Sequence, residues 1–86
     1  MHYVYILLLN NGQLYTGLSG DLKRRIGEHI SGKVKSTSKY LPSKLVHYEA
    51  YLVKKDAERR EKYLKSTEGK YFLKQQLKEL FIKINI

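Results

Sequence analysis

The sequence predicts an α+β fold in which a small sheet from the N-terminal half is completed by helices. Three observations predict it. Residues 3–9 carry aromatic, β-branched or aliphatic side chains on both alternating faces; a turn signal, Asn10-Asn11-Gly12, follows at once; and the apolar period changes to helical spacing from Lys54 onward. The order β-β-α-β-α-α, with no internal repeat, linker or low-complexity stretch, describes one domain over residues 1–86.

A strand that is apolar on both faces must be covered on both, so residues 3–9 belong in the middle of the sheet. Residues 13–18 form a second short strand that pairs with the first as an antiparallel hairpin. The loop length decides the register. A two-residue loop would put Tyr5 and Tyr15 on opposite sides; a three-residue loop, with Gly12 left-handed in a bulge, pairs Leu9 with Gln13 and puts both tyrosines on one side. The three-residue loop is the reading adopted.

Ser19-Gly20-Asp21 supplies helix-starting chemistry, and Leu22, Ile26 and Ile30 follow at helical spacing until Gly32. Arg25 and His29 lie along the border of that apolar stripe. Residues 33–43 form a basic loop without periodicity. Residues 44–53 make a third strand, with Leu45, His47, Glu49, Tyr51 and Val53 on one face and Val46, Tyr48, Ala50 and Leu52 on the other. Ala57, Glu61 and Leu64 then fall at i, i+4 and i+7, which turns a carboxylate inward. Gly69 marks the break before a last helix, whose buried side is Phe72, Leu73, Leu77 and Leu80 or Phe81 and whose outer side carries Lys70, Lys74 and Lys78. Residues 82–86 add a short strand or fray.

With no cysteine among 86 residues, the chain has neither a disulfide framework nor a thiolate zinc site, which fits a reducing compartment. No apolar run approaches the ~20 residues that span a bilayer, so the expected location is the cytoplasm. Seventeen Lys and Arg against eight Asp and Glu give a formal charge of +9, which favours polyanions and above all nucleic acid. Lys33, Lys35, Lys39, Lys70 and Lys74 are the side chains placed to follow a phosphate backbone.

The chemistry-bearing residues are Tyr5, Tyr15, Arg25, His29 and Glu61. An unpaired carboxylate on an apolar helix stripe costs several kcal/mol unless something relieves it. Two explanations of Glu61 stay open: a Mg²⁺ ligand, since that ion takes one or two carboxylates plus water and phosphate, or an ion pair with Arg25 or Lys23. Arg25 forks onto phosphate oxygens and is always charged, so it can hold a phosphate as charge accumulates but cannot act as an acid. Taken alone, it reads as a solvated helix arginine, and His29 as a surface or capping histidine. Tyr5 and Tyr15 become special only on a face shared with Arg25 and Glu61.

Tyr3-Val4-Tyr5, Tyr15-Thr16-Gly17, the segment Asp21-Leu22-Lys23-Arg24-Arg25 and the segment Ala57-Glu58-Arg59-Arg60-Glu61-Lys62 occur in this order across nearly the whole chain. In these features the sequence resembles the GIY-YIG nucleases, most closely their small single-domain bacterial members, and is similar to the nuclease domain of the excision-repair protein UvrC. Tyr3 stands where the first motif has glycine, and Thr16 where the second has isoleucine. The resemblance implies a three-stranded antiparallel sheet flanked by helices and a divalent-metal-dependent endonuclease acting on DNA, with Mg²⁺ or Mn²⁺ as cofactor. By position it implies that Tyr15 deprotonates or orients the attacking water and that Tyr5 lines the pocket and holds water on the metal. Arg25 would stabilise the transition state, His29 would support water or substrate, and Glu61 would bind the metal. Family members usually owe targeting to an attached DNA-binding domain, so a targeting protein is an expected partner. A non-catalytic nucleic-acid-binding module of the same fold is the alternative.

Overall fold

The computed structural model describes residues 1–84. Its sheet contains β1 (His2–Leu8), β2 (Leu14–Ser19) and β3 (Lys44–Tyr51), antiparallel and in the order β2-β1-β3. The helices are α1 (Leu22–Ile30), α2 (Lys54–Lys65), α3 (Thr67–Gln76) and α4 (Lys78–Ile84). The strand apolar on both sides is therefore central, as its composition requires.

The hairpin has the three-residue loop. The Leu9 amide donates to the Gln13 carbonyl at 2.9 Å, and Gly12 closes the turn at φ +86°, a conformation that L side chains rarely adopt. Leu7 consequently faces Tyr15 and Tyr5 faces Gly17, which puts both tyrosines on one side. Two apolar layers follow from this register. Val4 and Ile6 pack with Ala57, Leu64 and Leu73 on one face; Tyr5, Leu7 and Leu9 pack with Tyr15, Leu22, Ile26 and Leu45 on the other.

β3 departs from simple alternation. Ile6 pairs with His47 but Leu7 with Leu45, so Val46 is an extra residue in a bulge. The bulge moves Leu45 to the α1 face, whereas Val46, His47, Glu49 and Tyr51 belong to the α2 face. The two-face assignment expected from period two thus fails at two residues, Leu45 and Val46, and holds from His47 to Tyr51. The strand also ends at Tyr51 rather than Val53.

On α1, the Asp21 carboxylate caps the first turn by accepting from the Arg24 amide at 3.2 Å. The inward stripe is Leu22, Ile26 and His29. Ile30, expected inside, is 58% exposed, while His29 is fully buried.

The break after α2 falls at Ser66, not Gly69. The Ser66 hydroxyl accepts from the Gly69 amide at 3.0 Å, making it the N-cap of α3. Gly69 lies inside α3 because a Cβ there would overlap the Tyr63 carbonyl oxygen, so the glycine permits close crossing of two helices. The single last helix is in fact two, divided at Leu77. Phe72 is 52% exposed rather than buried; Leu73 alone of that set is fully buried, while Leu77, Leu80 and Phe81 are half-buried. Residues 82–84 are helical instead of forming a strand, and residues 85–86 lie outside the described residues.

One polar cluster on the α2 face was not anticipated. The Glu49 carboxylate accepts from Arg60 Nε at 2.8 Å and Nη2 at 3.2 Å, and from the Tyr51 hydroxyl at 2.7 Å, with His47 Nε2 at 2.9 Å. Burial by itself pushes its pKa up, but these hydrogen bonds and the Arg60 charge outweigh it and hold the group at about 2. The cluster fastens α2 to the sheet edge with its ionic partners mostly shielded.

Two outcomes follow. Gly69→Ala should lower stability by about 2–3 kcal/mol, the overpacking range, read as a fall in melting temperature. Glu49 is depressed from 4.5 to about 2 on folding, so its contribution is complete above pH 4.5 and disappears as pH falls through 2. Glu49→Gln should therefore be less stable than the parent by about 2–3 kcal/mol at neutral pH, and the gap should close toward pH 2.

Candidate active site

Tyr5 is fixed by its strand and by what its partner strand lacks. It lies opposite Gly17, and a Cβ at Gly17 would overlap the Tyr5 ring at Cζ and the hydroxyl oxygen. The phenol therefore lies across the β2 backbone on the α1 side of the sheet. Any side chain at position 17 would displace it, which gives the glycine of Tyr15-Thr16-Gly17 a steric purpose.

At the end of that phenol, the Tyr5 hydroxyl meets His29 Nε2 at 2.8 Å. The other imidazole nitrogen, Nδ1, meets Thr37 Oγ1 at 2.8 Å. Tyr5, His29 and Thr37 are each 1% exposed or less. The Tyr15 ring completes the nest, with its centroid 5.1 Å from His29 and 6.4 Å from Tyr5. Tyr15 is half-buried and so is the phenol of this group that reaches solvent.

Arg25 lies beside the Tyr5 phenol and is oriented by Glu28, which accepts from its Nη1 at 3.0 Å. Glu28 also accepts from Arg24 at 2.6 Å. The two guanidiniums, Arg25 foremost, hold the Glu28 carboxyl below its usual range. Burial pushes the Tyr5 phenol above its usual pKa; the Arg25 guanidinium pulls it down, and the charges of Tyr15 and Glu61 add to the rise. Burial, then the Arg25 charge, lowers His29, with Glu28 opposing. At neutral pH the nest therefore holds a neutral imidazole and a protonated Tyr5 phenol against one fixed cation.

The sequence-based residues are thus distributed as follows. Tyr5, Tyr15, His29 and Arg25 come together, and Glu61 is close enough to affect the ionisation of Tyr5. The Tyr5 hydroxyl is enclosed and engaged by His29. His29 is a core residue, not a surface or capping one. The cation facing Glu61 is Lys65 at 3.2 Å, one turn along α2, and not Arg25 or Lys23. Thr37 and Glu28 were missed, and Gly17 was read only as part of its motif. The only sequence signal for Thr37 is a hydroxyl residue in a run that otherwise reads as a basic loop.

Among the described residues, no group of three or more His, Asp or Glu side chains gathers into a ready-made metal cage. Glu61 contributes one half-buried carboxylate whose pairing with Lys65 is exchangeable at the surface. A single hard oxygen donor suits an ion that keeps most of its waters and takes phosphate oxygens, so the residues fit Mg²⁺ or Mn²⁺ and not a closed zinc site.

The basic side chains form two exposed groups about the hairpin tip. Lys33, Lys35 and Lys39 lie on the loop after α1, which is tied to the tip by the Asn10 amide donating to the Tyr40 carbonyl at 3.0 Å. Lys70 and Lys74 border a shallow hollow with Gly12, Gln13 and Leu14 on the other side. No helix among the described residues is long and apolar enough to cross a membrane.

Comparison with known proteins agrees with this geometry. Residues 1–76 match the family model described as the GIY-YIG catalytic domain. The chain is 40% identical over 78 residues to a UPF0213 protein of Staphylococcus epidermidis, covering 90% of each. It is 42% identical over 86 residues to one from Haloquadratum walsbyi, covering 98% of this chain and 93% of the relative. The solution NMR structure of a UPF0213 protein from Bacillus halodurans superposes with a TM-score of 0.58 at 41% identity, covering 87% of this chain and 83% of that one. The span of the family-model match takes in the hairpin with its two tyrosines, the glycine under the first of them and the arginine beside it; the protein belongs to the GIY-YIG family, a family of nuclease-type catalytic domains that generally use a divalent metal.

Proposed function

We propose that this protein is a divalent-metal-dependent endonuclease that hydrolyses phosphodiester bonds in DNA, with branched, flapped or otherwise distorted DNA as substrate. The observation that carries the reading is the convergence of the Tyr5, Tyr15 and His29 rings with the Arg25 guanidinium beside the first phenol. Tyr15, open to solvent, accepts a hydrogen bond from the attacking water and orients it. The water oxygen bonds to phosphorus as the opposite P–O bond breaks; one water proton is lost to solvent and the leaving oxygen takes one from solvent, giving a phosphomonoester and an alcohol. Arg25, steadied by Glu28, presents its remaining donors to the phosphoryl oxygens as negative charge builds there. His29 and Tyr5, bonded to each other, fix the wall against which Tyr15 packs. A Mg²⁺ or Mn²⁺ ion held by Glu61 would supply charge neutralisation at the phosphate and the leaving oxygen.

The exposed lysines on both sides of the hairpin tip contact DNA through its backbone with little sequence preference, and a targeting protein selects the structure to be cut.

Incubation with nicked, flapped and single-stranded DNA should give cleavage with Mg²⁺ or Mn²⁺ and none with chelator. Arg25→Ala should slow cleavage by roughly 10²–10³, the effect of removing one transition-state donor, and Glu61→Ala should remove the response to metal. A parent protein that binds these DNAs but cuts none would be a binding module instead. With ~4–5 phosphates contacted, log K for binding should fall with log salt at a slope of about −4, and a Lys70→Ala, Lys74→Ala double variant should flatten it by about 2. A salt-independent affinity would rule out the backbone-contact mode.

A further inference from the structure

The imidazole of His29 is hydrogen-bonded at both nitrogens, and its tautomer decides which partner donates. The Thr37 hydroxyl has a single hydrogen, which points to the Val34 carbonyl at 3.4 Å. With that hydrogen on the Val34 carbonyl, the Thr37 oxygen is free to accept from His29 Nδ1 across 2.8 Å. A neutral imidazole that carries its proton on Nδ1 is bare at Nε2, so the Tyr5 hydroxyl donates to Nε2.

We propose that Thr37 is a positioning residue of the site: by accepting the hydrogen bond from Nδ1–H it fixes the tautomer and ring plane of His29, and through His29 it aims the Tyr5 hydroxyl. The proposal rests on the nuclease reading for its purpose and on hydrogen-bond geometry for its content. Without Thr37, the ring could carry its proton on Nε2 and face the Tyr5 hydroxyl as a donor. The phenol would then have to reverse its own hydrogen into a space bounded by Gly17 and Tyr15.

The position of Thr37 in the chain adds a second consequence. It lies between Lys35 and Lys39, in the loop that the Asn10 amide ties to the hairpin tip at Tyr40. The Thr37 amide also donates to the Val34 carbonyl at 3.1 Å, and Val34 is itself buried. The basic segment is therefore fastened to the reacting centre through the residue that sets His29. A DNA backbone drawn along Lys35 and Lys39 is held in fixed relation to Tyr5.

Long-range ¹H–¹⁵N correlation of the imidazole nitrogens of the intact protein tests the proposal directly. The parent should show His29 protonated at Nδ1 and bare at Nε2. Thr37→Ser should keep that pattern, and the near-isosteric Thr37→Val should lose it. A parent protonated at Nε2 overturns the proposal whatever the variants do, as does a folded Thr37→Val that retains the Nδ1 proton. If Thr37→Val does not fold, the parent spectrum and Thr37→Ser still decide. In cleavage assays, Thr37→Val should lower kcat by roughly 10–100-fold at unchanged KM for DNA, with Thr37→Ser restoring the rate. Loss confined to KM would assign Thr37 to substrate binding and overturn the positioning role. If the parent cleaves nothing, the nuclease reading fails, while the nitrogen spectra still settle what Thr37 does to His29.

Discussion

The hydroxyl of Tyr5 has to be satisfied inside the protein, and much of the structure follows from that constraint. Its strand is covered on both faces, so this polar atom cannot rely on bulk water, and leaving it unpaired would cost roughly 1–3 kcal/mol. Gly17 clears the space through which the phenol extends, and His29 closes it. Because an imidazole is polar on two sides, its burial passes the requirement to Thr37. Three segments remote in sequence, the first strand, the first helix and the basic loop, are thereby linked through one short chain of hydrogen bonds. Arg25 and Tyr15 are arranged around that chain, and their exposure, unlike its own, makes them available to a substrate.

A second polar device acts on the opposite face. Glu49 and Arg60 meet in a forked, largely shielded pair that His47 and Tyr51 complete. Its importance for the site is indirect. Arg60 adjoins Glu61 on α2, so a clamp on one fixes where the other emerges. The place of Glu61 is consequently set by the ion pair of its neighbour.

The features legible from the residues alone were those governed by local rules. The doubly apolar composition of β1 placed it centrally, and the Asn10-Asn11-Gly12 turn gave the register that unites Tyr5 and Tyr15. What escaped reading depended on contacts between distant parts. The bulge at Val46 has no marker such as glycine, and it shifts Leu45 to the face opposite that of His47. Gly69 looked like a stop because glycine commonly ends helices, yet here it answers to a carbonyl on the preceding helix. His29 looked superficial because helical spacing gave the inward position to Ile30; a buried tyrosine in need of a hydrogen-bond partner outweighed that preference. Contacts between distant parts, invisible in a pattern of apolar spacing, decided these cases: a steric approach at Gly69 and the satisfaction of a buried polar atom at His29.

The hairpin tip offers a last lesson, on which length changes this fold can absorb. Surface turns are ordinarily where insertions and deletions accumulate. Here the count of three loop residues serves two masters: it keeps Tyr15 on the correct side of the sheet, and it carries the Asn10 amide to the Tyr40 carbonyl. Adding or removing one residue would send every β2 side chain to the reverse face and release the neighbouring segment together. This exposed bend of the sheet is thus intolerant of indels.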